Sequence, residues 1–224
     1  MNLKDITRAE LLDYLAAQVN GLFPDKYGAD TRPALEADFD EALARLRRCI
    51  NGVRMWQPET FDYLHSSQHC TLVYYLANTI WRNRAQANIC TKLFNLNKAL
   101  HGFDCFYDNV LPDIFFVGHS VGIVLARTTF RDYLVLYQGC TVGRNHGAAP
   151  VLGEGVVLYP HAAIIGNCRI GDRSVLAQGC SVVDADTPGD CYVFSQGGKL
   201  TFKKPKRNVL SDIFRLEATE RQIA

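Results

Sequence analysis

LGEGVVLYPHAAIIGNCRIGDRSVLAQGCSVV, residues 152–183, places an aliphatic side chain at every sixth position. Leu152, Leu158, Ile164, Ile170, Leu176 and Val182 form the series, and a smaller residue follows four places after each of the first five: Val156, Ala162, Cys168, Ser174 and Cys180. A period of six matches neither the 3.6-residue turn of a helix nor the alternation of an amphipathic strand. It fits short strands joined by tight corners, with one inward anchor on each flat face. Three such faces close one triangular turn of a parallel β-helix. Each Leu, Ile or Val buried in that stack contributes about 1.5–3 kcal/mol.

The period extends backwards. Val124, Phe130, Leu136 and Val142 are six apart, with Thr128, Leu134 and Cys140 in the slot four places on. It then slips, because ten residues separate Val142 from Leu152, four more than one repeat. The surplus lies in GRNHGAAPV, so a loop near residues 144–151 must bulge from the coil, and such loops are where functional side chains tend to sit. The ten or so repeats predict a little over three turns.

Upstream of about residue 109 the pattern is helical. Leu35, Phe39, Leu43 and Leu46 share one face of a helix, with Pro33 suited to its first turn and Asn51-Gly52 as its stop. The segment from Thr71 to Gly102, capped by Ser66 or Ser67, reads as one long helix or two broken near Asn83. At the other end, SDIFRLEATERQ predicts a short helix capped by Ser211. The expected architecture is α+β: a helical domain over 1–108, the β-helix over 109–196, and a basic segment with a short helix over 197–224.

Composition narrows the function. With 48% hydrophobic and 21% charged residues the chain is a soluble globular protein. Its 24 Lys and Arg balance 23 Asp and Glu, which removes the electrostatic argument for a nucleic-acid partner. No apolar run reaches the roughly 18 residues of a membrane span, and the N-terminus lacks a signal-peptide core, so a cytoplasmic location is expected. The eight cysteines form no CxxC pair and read as buried fillers.

The repeat resembles that of the hexapeptide-repeat acyltransferases, which implies a left-handed parallel β-helix. GHSVGIV, Gly118–Val124, and YQGCTVG, Tyr137–Gly143, resemble the DHATGIV and QSVTLG strings of the serine acetyltransferases within that superfamily. The likeness covers roughly residues 60–200. It implies an acetyl-CoA-dependent O-acetyltransferase in which His119 is the general base. An imidazole suits that role, since its pKa is near operating pH and an attacking hydroxyl must lose a proton. The family's orienting aspartate corresponds to Asp104, although the family reads DIHP where this chain has DCFY, and Asp108 and Asp113 are substitutes. Arg144 and His146 in the loop, with Gly118, are the implied acceptor-binding positions. For acetyl-CoA as the donor, Gly143, Pro160 and Gln178 along the coil and Lys199, Lys203 and Lys204 beyond it are implied, with Lys206 and Arg207 nearby. No metal is implied, and the family assembles as a trimer or a pair of trimers.

Two departures bear on the acceptor. The aspartate that precedes the family's histidine and holds the serine ammonium is Gly118 here, and the loop reads RNHGAAP in place of an Arg-His-Pro run. A sugar or nucleotide sugar of a surface polysaccharide is therefore an alternative acceptor. A non-catalytic trimeric scaffold derived from such an enzyme is the alternative of another class. A zinc site built from His119, His146 and His161, resembling β-helical carbonic anhydrases, fits the spacing poorly.

Overall fold

The computed structural model describes residues 1–216. Five helices come first: α1 (Arg8–Leu22), α2 (Gly28–Glu36), α3 (Phe39–Gly52), α4 (Ser66–Arg84) and α5 (Ala87–His101). A capping box starts α1, in which the Thr7 hydroxyl accepts from the Glu10 amide while the Glu10 carboxylate accepts from the Thr7 amide at 2.8 Å. Helix α4 is buried from Ser67 to Ile80 and forms the centre of this domain. Its break from α5 comes at Ala85, in the left-handed region at φ 50°, beside the predicted Asn83.

Two local expectations fail. The stretch after residue 30 is two helices, with Pro33 inside α2 and not in its first turn. Asp38 explains the break, because its buried carboxylate accepts from Arg84 Nε at 2.7 Å and Asn83 Nδ2 at 2.9 Å, pinning the bend to the end of α4. Ser66 and Ser67 lie inside α4; its cap is His65, whose Nδ1 accepts from the Gln68 amide at 3.4 Å.

The chain then winds into a parallel β-solenoid with three faces. The first carries Phe103–Cys105, Ile123–Leu125, Thr141–Gly143, Ala163–Ile165 and Ser181–Val183. The second stacks Phe115–Gly118, Leu134–Tyr137, Val157–Leu158, Ser174–Leu176 and Cys191–Gln196, closed by antiparallel Lys199–Lys203. The third is short, with Val151–Leu152 paired to Arg169–Ile170. Leu158 pairs with Leu176, Ile164 with Val182, and Leu152 with Ile170, so one turn is 18 residues, or three hexads. All six anchors from Leu152 to Val182 and all five small residues are buried. Where the loop intervenes, Val142 pairs with Ile164, four residues beyond that repeat.

The stack is longer than the repeat count predicts, because five strands share the first face and its first strand follows directly on α5. Those early coils escaped notice because their spacing is irregular. Val124, expected as an anchor, points outward at 43% exposure; Leu125 is buried and pairs with Val142. The coil there is one residue short of 18, which shifts the inward position by one.

After the solenoid the chain returns across the second face as α6 (Val209–Ile213). Asn208, not Ser211, caps it, its Oδ1 accepting from the Leu210 and Ser211 amides at 3.0 and 3.3 Å. The predicted helical segment beyond residue 216 lies outside the described residues. Phe214 packs edge-on to Tyr133 of the coil, with ring centroids 5.3 Å apart, and Val53 bridges to Phe214. Arg215 then donates to carbonyls at the end of α3 and just beyond, including Asn51 at 3.1 Å and Trp56 at 2.7 Å. The C-terminal segment thus straps coil to helices.

Candidate active site

His119 sits where the second face turns into the first. In the coil above, one residue, Gln138, separates Tyr137 from Gly139; in this coil three residues, His119 to Val121, separate Gly118 from Gly122. The registers fix the correspondence, since Gly118 pairs with Tyr137 and the Gly139 amide donates to the Val121 carbonyl at 2.9 Å. The two additional residues form a bulge that lifts His119 off the corner at φ 68°, a left-handed conformation uncommon for a side chain with Cβ. Its imidazole is exposed and has no hydrogen-bond partner among the described residues.

Backbone bonds continue the corner upward. The His161 amide donates to the Gln138 carbonyl at 2.9 Å and the Gly179 amide to the Pro160 carbonyl at 2.9 Å. Gln138, Pro160 and Gln178 therefore form one column above the bulge. The adjoining left-handed column is Gly102, Gly122, Gly139, His161 and Gly179, in which His161 is the one residue that is not glycine. Its ring lies against Gly139, where an added Cβ would fall 2.2 Å from Nδ1. Beside both columns, outside the second face, the rings of Tyr137 and Tyr159 stack at 5.5 Å and 18°, with Phe116 edge-on to Tyr137 at 6.3 Å. Sequence reading missed this aromatic wall; its signal is the Tyr that precedes each of Gln138 and Pro160.

The other expected groups are distributed. Asp104 pairs with Lys98 at 2.9 Å, Asp113 with Arg48 at 2.9 Å, and Asp108 with Arg127, and none of the three carboxylates bonds His119. Arg144 and His146 are exposed on a tight loop, closed by Asn145 and Ala148 and tethered by Asn145 Nδ2 to Asp184 at 3.1 Å. Arg144 itself donates to the Gly147 carbonyl at 2.9 Å. That loop follows Gly143, so within one chain it lies across the first face from His119. His119, His146 and His161 do not converge, and among the described residues no three His, Cys, Asp or Glu side chains are placed to hold a metal.

Pro160 and Gln178 join the column above His119, whereas Gly143 lies at the far edge of the first face, where Ile165 Cδ1 would stand 2.8 Å from an added Cβ. Lys199 pairs with Gln196 and Lys203 with Tyr192, so Lys199 and Lys203 are the two end residues of the terminal strand and Lys204 follows it. Lys204 instead borders a cavity of about 310 Å³ under the C-terminal strap with Arg173, Asp190, Lys206 and Arg207. All eight cysteines are buried and unpaired, and burial pushes the thiols of Cys49 and Cys140 up to about 11. No helix among the described residues is long and apolar enough to cross a membrane.

No protein-family model matches the chain. It is 31% identical over 120 residues to a serine acetyltransferase of Synechococcus elongatus, covering 51% of this chain and 49% of that protein. A serine acetyltransferase of Mycobacterium tuberculosis is 22% identical over 148 residues, 64% of each chain. A solved serine acetyltransferase in complex with CoA superposes with TM-score 0.70 at 20% identity, over 88% of this chain and 86% of that one. The enzyme from Vibrio cholerae superposes with TM-score 0.67 at 22% identity, over 91% and 82%. These two relatives and two solved structures are all serine acetyltransferases. The chain spans from about half to about two thirds of the length of the curated relatives it matches.

Proposed function

We propose that this protein transfers the acetyl group of acetyl-CoA directly to a hydroxyl of a small acceptor, with His119 as general base. The observation that carries the reading is the bulge itself: a strained, solvent-reaching imidazole with both ring nitrogens uncommitted, at the foot of a column of corner residues. Strained backbone of this kind clusters at functional sites. Its sequence context, GHSVGIV, resembles the serine acetyltransferase string, and one superposed relative was solved with CoA, another with serine.

The reaction balances without a cofactor beyond the donor. As the acceptor oxygen attacks the thioester carbonyl carbon, His119 takes the hydroxyl proton, and the tetrahedral oxyanion collapses with loss of the C–S bond. The imidazolium returns its proton to the departing CoA sulfur, which leaves as the thiol. CoA would run along the Gln138–Pro160–Gln178 column, with its phosphates toward the cations of the terminal strand, including Lys199. Asp104 would act on His119 only by exchanging its Lys98 partner. A trimer, in which a neighbouring subunit's Arg144 and His146 complete the acceptor site, joins the loop to the histidine. Eight unpaired thiols suit a reducing compartment, and we place the protein in the cytoplasm.

Calorimetry with CoA, followed by thiol release from acetyl-CoA in the presence of hydroxyl acceptors, tests this reading. Saturable binding with acceptor-dependent release is expected. Absence of CoA binding would favour the scaffold.

A further inference from the structure

We propose that the acceptor is a neutral, hydroxyl-bearing ring compound of the sugar class, held against the stacked rings of Tyr137 and Tyr159 beside His119. This rests on the acetyl-transfer reading above and specifies its substrate.

Three observations converge. The first is steric: a Cβ at Gly118 would stand 2.8 Å from Tyr137 Cε1 and 2.9 Å from Phe116 Cε1. The direction in which a side chain at 118 would project is filled by aromatic carbon. The second is electrostatic. The corner segments 118–122, 137–140, 159–162 and 177–180 contain no Asp or Glu. An amino-acid acceptor held there would have no carboxylate from these segments to pair its ammonium, and a desolvated unpaired charge is costly.

The third is the character of what is present. Tyr137 and Tyr159 are half-buried and nearly parallel, offering a flat aromatic surface with polar tips. Next to Tyr137, Gln138 Oε1 is buried without a hydrogen-bond partner among the described residues. A buried acceptor left unpaired is costly, so a hydrogen bond from a ligand hydroxyl would be favourable there. An aromatic platform with a few neutral polar groups matches a molecule with an apolar C–H face and a rim of hydroxyls.

The test uses the full chain, acetyl-CoA, and thiol release with L-serine and with methyl glucoside, methyl galactoside and methyl mannoside. At least one glycoside is expected to exceed L-serine tenfold or more in kcat/KM. Tyr137→Ala should raise the glycoside KM at least tenfold, and Tyr137→Phe, which keeps the ring, should stay within about threefold of the parent. Preference for L-serine, or an unchanged glycoside KM in Tyr137→Ala, would overturn the proposal. If no acceptor supports thiol release, acetyl transfer itself fails, and saturation-transfer NMR with the same glycosides then decides. Ring-proton signals abolished by Tyr137→Ala uphold the platform; their absence with the parent protein overturns it.

Discussion

His69 Nδ1 lies 2.8 Å from His101 Nε2, joining the first turns of α4 to the last turn of α5 inside the helical domain. His69 Nε2 faces Gln18 Oε1 at 3.1 Å, and Tyr14 meets the ring edge-on at 5.9 Å. The arrangement is satisfied by two neutral rings: His69 Nε2–H donates to Gln18, and His69 Nδ1 accepts from His101 Nε2–H. Burial lowers His69 to about 3, with nearby His101 adding to the effect, and burial lowers His101 to about 4. Next in sequence, Gly102 accepts from the Gly122 amide at 3.0 Å, beneath the His119 bulge.

This pair makes the fold acid-sensitive. Unfolded histidine binds a proton near pH 6.5, whereas these two resist it until well below, so the unfolded state gains protons first. Their contribution is complete above about pH 7 and falls as the pH drops from 6.5 toward 4. The loss is on the order of 2 kcal/mol per ring at pH 5. Urea midpoints from pH 7.5 to 5 should decline accordingly, and His69→Gln should flatten the decline.

The C-terminal strap should matter to stability far more than its length suggests. The Arg215 guanidinium caps carbonyls that the end of α3 leaves without helical partners, and partial burial lowers its pKa. Arg215→Ala should cost about 2–3 kcal/mol, as expected for hydrogen bonds to a charged donor, and lower the thermal midpoint. A midpoint unchanged within a degree would show that the strap does not bind the two parts together.

Residues 152–183 announced the solenoid because every hexad there is regular and every anchor is Leu, Ile or Val. The loop was equally plain, since four surplus residues in a strict period have nowhere else to go. The earlier coils were hidden by a bulge of two residues at His119 and a deficit of one before Val142. These irregularities offset the anchors from the period without abolishing them. The resulting reassignment is directly checkable: Leu125→Ala, which empties a buried position, should cost about 2–5 kcal/mol by denaturant unfolding. Val124→Ala, on the outer surface, should cost under about 0.5 kcal/mol.

The site was legible only along the chain. His119 carried its own local string, and Pro160 and Gln178, expected along the coil, lie in the column of corner residues above it. Asp104, Asp108 and Asp113 do not join them, because each is taken by a cation from elsewhere, a pairing that sequence order cannot show. The Tyr137–Tyr159 stack depends on register between coils offset by four loop residues, so it becomes visible only once the solenoid is wound.

The most direct measurement is thiol release from acetyl-CoA by the full chain and by His119→Ala, at saturating acceptor and with CoA affinity measured in parallel. The variant should turn over about 10²–10⁴-fold more slowly while binding CoA as the parent does. Turnover equal to that of the parent would remove proton abstraction from residue 119.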